Sequence, residues 1–273
     1  MEQPDLQRAA DGARCGNRRP THADVRAYWN SAHDAYLTHV GTTWQAGRIA
    51  AGTSMRESNV WLAHSAGLQP GQRVLDAGCG VCGPAVDIAR EIAGLRVVGL
   101  TLVPRQARDA RVLVAHAGLS DRVCVVRGDY HAPPFVDGCF DAVLILESIG
   151  YAEDLVQLFR SARRVLRPGG RLYVKDVFRH EDLWSDQERQ ELEEFDGAYA
   201  TKTPTLSECA HAAIAAGFSN VNARDLTAVV TTGHGRRAMV DTTGALTSFG
   251  RLHYRRSSCV PVYFGEMEAR TPQ

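Results

Sequence analysis

The chain has 273 residues, of which 44% are hydrophobic, and this length can bury the core of one α/β domain with a cap. Its 31 Lys and Arg residues are balanced by 31 Asp and Glu residues, so no excess charge is available to hold nucleic acid or an anionic membrane surface. The composition therefore argues against a nucleic-acid partner and favours a small, roughly neutral molecule.

Cysteine usage and the N-terminal composition indicate the cellular compartment. The seven cysteines are odd in number and scattered through apolar or glycine-rich contexts, unlike a secreted disulfide framework. Residues 1–20 lack the apolar core of a signal peptide, and no run approaches the ~18 to 20 apolar residues of a membrane span. We expect a cytoplasmic protein whose residues 1–20 are disordered.

The most regular feature of the sequence is an alternation of strand and helix patterns from about residue 72 to residue 178. Strands are predicted at 73–78, 96–100, 123–128, 141–146 and 171–177, and helices at 83–94, 104–118 and 154–166. This alternation predicts a mainly parallel sheet with helices on both faces. Ligands of such sheets bind at the carboxyl ends of the strands, so the loops at that edge are the expected site.

A glycine-rich turn follows the first of these strands. Asp76-Ala-Gly78-Cys-Gly80-Val-Cys-Gly83 has the G-x-G-x-x-G spacing that lets a backbone approach a nucleotide closely. A carboxylate at position 76 would repel a pyrophosphate but attract the ammonium and sulfonium groups of S-adenosylmethionine, which favours that cofactor over NAD. A redox or metal role for the two cysteines is disfavoured because no second cysteine pair accompanies them. The histidines show no metal-binding spacing, so no metal is predicted.

The motifs that follow this turn carry a family resemblance. "VLDAGCGVCG", "VVGLTLVPRQA", "RGDYHAPPFVDGCFDAVLILES", "VLRPGGRLYV" and "PVYFGEMEART" resemble, in order and spacing, the motifs of class I S-adenosylmethionine-dependent methyltransferases. The match covers about residues 60–180 and the final strand. It implies a Rossmann-like sheet of seven mostly parallel strands with an antiparallel last strand. Thr101-Leu102, Gln106 and Glu147-Ser148 are similar to the branch of C-methyltransferases that act on sterols, tocopherols and bacterial prenyl groups.

The resemblance implies a set of cofactor-binding residues. They are Tyr28, Gln45, Asp76, Gly78, Gly80, Thr101, Leu102, Gln106, Asp129, Tyr130 and Glu147. The two glycines would flank the methionine portion, residues 101, 102 and 106 the ribose and adenine, and residues 129 and 130 the adenine ring. Many members of the superfamily have an acid at the position of Thr101, and a hydroxyl grips a ribose more weakly. The alternative for Asp129 is that it only caps the following turn.

The resemblance also points to methylation of an alkene, which leaves a carbocation on the acceptor. Such a cation requires aromatic faces and a carboxylate to stabilise it, followed by loss of a proton. The candidate catalytic residues are Glu147, Tyr151, Tyr199 and Tyr28. Sterol-type relatives commonly carry a histidine at the position of Tyr151, so a histidine-based deprotonation is in doubt. Alternatively, Glu147 is a surface charge at a strand end.

The expected acceptor is an uncharged, hydrophobic isoprenoid or prenylated natural product of secondary metabolism. The loops before residue 150 on the ligand side offer only Arg105 and Arg127, which disfavours a diphosphate acceptor. The alternative source of basic groups is "HGRRA" at 234–238, which could approach from a cap. A geranyl-bearing indole alkaloid of the teleocidin type is one example, in which the carbocation cyclises before deprotonation. The alternatives are an O- or N-methyltransferase of a small metabolite and a non-catalytic nucleotide-binding module.

The remaining segments are interpreted as coverings of this site. Residues 21–60 are predicted to form a helical lid, and 61–273 the methyltransferase domain, with cap insertions at about 181–205 and 231–257. In the lid, Tyr28, Tyr36 and Trp44 would shield cofactor and cation from water, and Gln45 would contact the cofactor. The alternative is an N-terminal helix that packs on the sheet edge or on a neighbouring subunit of a homo-oligomer.

Overall fold

The computed structural model of the protein describes residues 18–45, 48–49, 54–182, 185–226, 230–231 and 262–273. Its helices are α1 (His22–His39), α2 (Met55–Ser65), α3 (Gly83–Glu91), α4 (Pro104–His116), α5 (Leu155–Val165), α6 (Asp186–Tyr199) and α7 (Leu206–Ala215). Its strands are β1 (Arg48–Ile49), β2 (Arg73–Ala77), β3 (Arg96–Thr101), β4 (Val123–Arg127), β5 (Phe140–Leu146), β6 (Leu166–Arg179), β7 (Ser219–Asp225), β8 (Val230–Thr231) and β9 (Val262–Arg270). The predictions for residues 1–17, for Trp184 and for 232–257 lie outside the described residues.

The main sheet has seven strands in the order β4-β3-β2-β5-β6-β9-β7. Strands β2 to β6 pair in parallel, and β9 is antiparallel to both of its neighbours, β6 and β7. The predicted fold class, a mostly parallel sheet with an antiparallel last strand and helices on both faces, is confirmed. The order reverses between β2 and β5, which places the ligand edge at the carboxyl ends of β2, β3, β4 and β5.

Alternate residues of the central strands supply the apolar layers on the two faces of the sheet. Leu75, Val143 and Ile145 pack in one layer with the buried faces of α5 and α7. Val74 and Leu144 point to the opposite layer, which α2, α3 and α4 cover. Since successive side chains of a strand point to opposite faces, strands buried on both sides read as continuous apolar runs. These apolar runs allow the strands to be predicted from the sequence.

Two elements of the sheet differ from the sequence prediction. The seventh strand, β7, was not located because it is an edge strand whose sequence "SNVNARD" is largely exposed and lacks apolar alternation. Strand β6 begins at Leu166, five positions before the predicted start at residue 171, because Leu166 already pairs with Phe140 ahead of the turn at Pro168-Gly169-Gly170. The structure therefore assigns Leu166, the last residue of the predicted helix, to the strand, and the pairing with β5 resumes at Arg171 after an irregularity.

The N-terminal helix α1 is fixed at both ends to the rest of the protein. Thr21 caps it with a reciprocal capping box to Asp24, as its sequence favours. The fully buried His33 side chain lies 2.7 Å from Asp109 of α4. Asp34 of α1 forms an ion pair with Arg105, which also belongs to α4. Helix α1 therefore packs against α4, next to the carboxyl edge of the sheet. None of the described helices combines the length and apolarity needed to cross a membrane.

We predict that Tyr173→Phe weakens the attachment of β9 to the sheet. The hydroxyl of Tyr173 donates a 2.6 Å hydrogen bond to Glu266, a carboxylate that is only 3% exposed. Loss of one partner of a buried carboxylate costs about 1 to 3 kcal/mol of unfolding free energy, measurable by urea denaturation. The partly exposed Tyr263 is the control, and equal losses for Tyr173→Phe and Tyr263→Phe would contradict the prediction.

Candidate active site

A cavity of about 840 Å³, open on one side, lies at the carboxyl edge of the sheet. Helix α1 and residues 42–45 form one wall of it, and the loops after β2, β3, β4 and β5 form the others. All of the predicted cofactor residues except Tyr28 line it, namely Gln45, Asp76, Gly78, Gly80, Thr101, Leu102, Gln106, Asp129, Tyr130 and Glu147. The sequence motifs thus converge on one space, although their individual roles stay predictions.

The glycine-rich turn has the close approaches that the spacing predicts. Gly78 has φ +92°, and a Cβ there would lie 2.5 Å from the side chain of Ser148, so a larger residue would meet the loop after β5. A Cβ on Gly83 would overlap the carbonyl oxygen of Thr42. The segment that follows α1 therefore rests directly on the first residue of α3. Because of this contact, the turn and residues 42–45 form a continuous wall.

Asp76 lies at the base of the cavity and is buried. Burial raises the pKa of its carboxyl group to about 7. Among the described residues, neither its Oδ2 atom nor the Nε2 atom of Gln45 has a hydrogen-bond partner, and both atoms are buried. A buried acceptor and a buried donor facing one cavity fit the ammonium and carboxylate of an amino-acid group. The methionine portion of S-adenosylmethionine supplies both, so the residues fit that cofactor.

The residues predicted to contact ribose and adenine bond mainly to their own neighbours. Thr101 donates a 2.6 Å hydrogen bond to Gln106, which joins the two predicted ribose contacts into one pair. Asp129 accepts from the backbone N–H of His131 at 2.8 Å, as in a turn cap, and also lines the cavity. Burial alone would raise the pKa of Asp129, but the hydrogen bonds from His131 outweigh it and lower that pKa. The two interpretations of Asp129 are thus compatible.

A second cavity, of about 730 Å³, adjoins the first. Six aromatic side chains line it, those of Trp29, Tyr36, Trp44, Tyr151, Phe195 and Tyr199. The two cavities share a wall made of Trp29, Trp44, Gln45, Glu147 and Tyr151. The adjoining arrangement gives space for a second, apolar molecule beside the cofactor position.

The predicted catalytic tyrosines lie around this second cavity. Tyr151 and Tyr199 line it directly. Tyr28 lines neither cavity, and its ring instead packs behind the lining, 6.5 Å from Tyr151 and 6.4 Å from Tyr199 between ring centroids. Its hydroxyl lies 3.3 Å from that of Tyr36. In this arrangement Tyr28 supports the aromatic wall rather than facing either cavity.

Glu147 occupies the shared wall and forms a buried ion pair with Lys175 of β6. Its backbone has φ +50°, which is uncommon for a residue with a side chain, and the carboxylate is 9% exposed. Lys175 is 1% exposed and also donates to Oε1 of Gln45 at 3.4 Å. The prediction that Glu147 lies at the ligand edge agrees with this position. The alternative of a strand-end surface charge does not.

Sequence reasoning missed Lys175 and the adjacent Asp176. Asp176 is 7% exposed and lines the second cavity. The signal was present in "RLYVKDVF", where two adjacent charges interrupt an apolar strand. Charges within a buried strand point to a polar site, because an unpaired buried charge is costly.

One cluster of possible metal ligands was also missed. Ligand atoms of His22, Asp129 and His131 all lie within 4.8 Å of one another at the rim of the first cavity. The sequence spacing could not reveal it because His22 belongs to α1, more than a hundred positions away. Asp129 and His131 already hydrogen-bond to each other. The positions of these two side chains therefore need no metal ion to explain them.

Comparison with known proteins identifies the domain. Residues 75–174 match the family model described as "Methyltransferase domain". This region is a class I methyltransferase domain. The match confirms the predicted family, and together with solved neighbours that hold S-adenosylmethionine or S-adenosylhomocysteine it supports S-adenosylmethionine as the cofactor of this domain. The glycine turn, Asp76 and Glu147 all lie inside the matched region.

Relatives of the methyltransferase domain include fungal enzymes of known name. A sterol 24-C-methyltransferase, ERG6B of Gibberella zeae, is 34% identical over 213 residues, which are 75% of this chain and 55% of that protein. The chain spans about half the length of the curated relatives it matches.

Solved structures show the same fold. The structure of the 4+2 cyclase SpnF has a TM-score of 0.76 at 20% identity, and the alignment covers 93% of this chain and 97% of that one. Geranyl diphosphate C-methyltransferase from Streptomyces coelicolor A3(2) has a TM-score of 0.72 at 20% identity, with 91% and 97% covered. At these identities the likeness establishes the architecture alone.

We predict that cofactor affinity depends on pH through Asp76. The carboxylate must be ionised to hold an ammonium group, and burial raises its pKa to about 7, so the affinity for S-adenosylhomocysteine should fall as the pH drops below 7. Asp76→Asn should bind about tenfold more weakly at pH 8 and show no such fall in calorimetric titrations. Asp129→Asn is the control, because the pKa of Asp129 is lowered and its loss should leave the pH dependence in place. A fall that persists in Asp76→Asn would disprove the assignment.

Proposed function

We propose that the protein is an S-adenosylmethionine-dependent C-methyltransferase that methylates a carbon–carbon double bond of an isoprenoid or prenylated small molecule. The observation that carries this proposal is the pair of adjoining cavities. One fits the cofactor, and the other has an aromatic lining and two buried carboxylates, those of Glu147 and Asp176. Bound S-adenosylmethionine supplies an electrophilic methyl group.

The lining of the second cavity suits a cation on a hydrocarbon. An alkene that accepts a methyl group becomes positively charged at the neighbouring carbon. Aromatic faces stabilise such a charge through their quadrupoles, and they exclude water that would quench it. Tyr151 and Trp29 stand at the shared wall, where the charge first forms, and Tyr199 and Phe195 lie further into the cavity. These positions support roles for the aromatic residues in shielding the cation.

The charges of the second cavity favour an acceptor without a diphosphate. Among the described residues that line it, the ionisable groups besides tyrosine are the acids Glu147 and Asp176. A diphosphate needs clustered Arg or Lys side chains, which the described lining does not supply, and the charge of Asp176 would repel it. We therefore propose an uncharged prenylated natural product, with a geranyl-bearing indole alkaloid of the teleocidin type as one example. In that case the cation cyclises before it loses a proton.

The relatives support the reaction class. A protein named sterol 24-C-methyltransferase transfers its methyl group to carbon, and several fungal proteins with that name match this sequence. A sterol-sized acceptor and a shorter prenyl group both belong to the isoprenoid class. The relatives support an acceptor of the isoprenoid class, and the lining of the second cavity supports an acceptor without charge.

We also propose that residues 21–60 act as a lid, and that α6 of the 181–205 insertion acts as a cap. Trp29 of α1 stacks on Trp44 with ring centroids 5.3 Å apart and an angle of 12° between the rings. Both side chains line both cavities. Phe195 and Tyr199 of α6 close the opposite side of the second cavity. These segments therefore cover part of both cavities, and their movement would widen access to them.

The function is tested by incubating the protein with S-adenosylmethionine and a panel of geranylated indoles, free prenols and sterols. We expect one olefinic acceptor to gain the mass of one methyl group, with formation of S-adenosylhomocysteine. Methylation only of hydroxyl or amine acceptors would favour an O- or N-methyltransferase. Cofactor binding without turnover on any acceptor would favour a non-catalytic module.

We predict that Glu147→Gln lowers turnover about a hundredfold and leaves the dissociation constant of S-adenosylmethionine within about tenfold. This change also breaks the buried ion pair with Lys175, which costs about 3 to 5 kcal/mol of stability. The double variant Glu147→Gln with Lys175→Met removes that cost. If the double variant regains both stability and turnover, Glu147 has only a structural role.

A pair of tryptophan variants tests the lid. Trp29→Ala should reduce turnover about a hundredfold by opening the shared wall, while the melting temperature changes by less than about 3 °C because α1 lies outside the main core. Trp61→Ala is the matched control, since Trp61 packs against the core of the domain and away from both cavities. It should lower the melting temperature and spare turnover. The reverse pattern would contradict a lid role for α1.

A further inference from the structure

Asp176 is a buried acid that lines the second cavity, and both of its carboxylate oxygens accept hydrogen bonds from the backbone. Oδ2 accepts from the N–H of Ile149 at 2.8 Å, and Oδ1 accepts from the N–H of Val177 at 2.7 Å. Each carboxylate oxygen can accept two hydrogen bonds, so both retain acceptor capacity. The carboxylate is therefore fixed in orientation and able to receive a proton.

The other carboxylate of the cavity is engaged differently. Glu147 forms its ion pair with Lys175, so its negative charge already has a buried positive partner. A carboxylate held against an ammonium group is a poor proton acceptor, because protonation would remove the attraction between the two opposite charges. Asp176 lies next to Lys175 in sequence, but its carboxylate accepts hydrogen bonds from backbone N–H groups. The two acids thus have different hydrogen-bond partners.

We propose that Asp176 is the counter-charge and the proton acceptor for a cation in the second cavity, which makes this cavity a binding site for cationic prenyl groups. This proposal rests on the proposed function. Glu147 at the shared wall faces the carbon that is methylated, and Asp176 faces the carbon to which the charge has moved.

The step is a simple elimination. A carboxylate oxygen of Asp176 takes a proton from the carbon next to the cationic centre. The electron pair of the broken C–H bond becomes the new carbon–carbon double bond, and the positive charge disappears. The product is a neutral alkene and a protonated Asp176, which afterwards returns the proton to solvent. No oxidant or further reactant is needed.

The groups around Asp176 allow it to titrate in the neutral range. Burial is the largest influence on the pKa of Asp176, and the charge of Glu147 also raises it, whereas the N–H groups of Ile149 and Val177 and the charge of Lys175 lower it. The net result is a pKa raised to about 7. Among the described residues, the other titratable groups that interact with it are Tyr130 after β4, Tyr151 after β5 and Cys209 of α7. Burial raises the pKa of each of these three, so they stay neutral when Asp176 ionises. A group poised near neutrality suits a general base.

A cationic probe tests the site without requiring turnover. Geranyltrimethylammonium is a quaternary ammonium ion that carries a positive charge at every pH from 5.5 to 8.5, and it resembles a prenyl cation in shape. With S-adenosylhomocysteine bound, we expect its dissociation constant to fall about tenfold as the pH rises through 7, because the ionised carboxylate attracts the ammonium group. Asp176→Asn should bind the probe more weakly at pH 8.5 and lose this dependence.

Two further variants make the result specific. Asp196→Asn is the matched control, because Asp196 is another buried acid that accepts a backbone N–H, that of Thr203 at 2.9 Å, but does not line the cavity. It should retain the pH dependence. If Glu147→Gln with Lys175→Met abolishes the dependence and Asp176→Asn retains it, the counter-charge is Glu147 and the proposal is wrong. Failure of the wild-type protein to bind the probe at any pH also overturns it.

Turnover distinguishes this inference from the proposed function. If no acceptor of the panel is methylated while the probe binds as expected, the reaction class is wrong and the cation site stands. If an olefinic acceptor is methylated and Asp176→Asn forms the same alkene at the wild-type rate, Asp176 is not the base. We expect that variant, checked for folding by its melting temperature and its S-adenosylhomocysteine affinity, to slow alkene formation about a hundredfold.

Discussion

The buried ion pair between Glu147 and Lys175 fixes the position of the wall that separates the two cavities. It joins the end of β5 to the middle of β6, and it lies in the wall that both cavities share. Burial of these charges is costly, so the pair contributes more to a fixed geometry than to stability. Glu147 has φ +50°, and its backbone N–H donates a 2.8 Å hydrogen bond to the carbonyl oxygen of Lys175. Gln45 joins the pair through Lys175 and so ties the N-terminal segment to the sheet.

Three acids that line the two cavities have different surroundings. Asp76 faces the first cavity, Glu147 stands between the cavities, and Asp176 faces the second cavity. Burial raises the pKa of both Asp76 and Asp176 to about 7. Glu147 forms an ion pair with Lys175. In the proposed reaction, these acids lie along the path of the positive charge from the sulfonium to the acceptor. The same acids would repel anionic metabolites.

The sequence was sufficient for the parts of the fold that repeat a regular pattern. Strands buried on both faces and the glycine turn were located because apolar runs and glycine spacing are local signals. The edge strand β7 has no such signal, since its side chains are mostly exposed. The site was recovered where motifs follow strands, as at Asp76 and Glu147. Lys175, Asp176 and the approach of His22 to Asp129 depend on contacts between distant segments, which spacing along the sequence does not encode.

The shared wall is built from two different parts of the protein. Glu147 and Tyr151 belong to the region that matches the methyltransferase domain, whereas Trp29, Trp44 and Gln45 come from the segment before it. Phe195 and Tyr199, on the far side of the acceptor cavity, follow the matched region. Evolution can therefore change the acceptor by altering segments that flank the domain, while the cofactor turn remains constant. In this architecture, the substrate can change while the reaction stays the same.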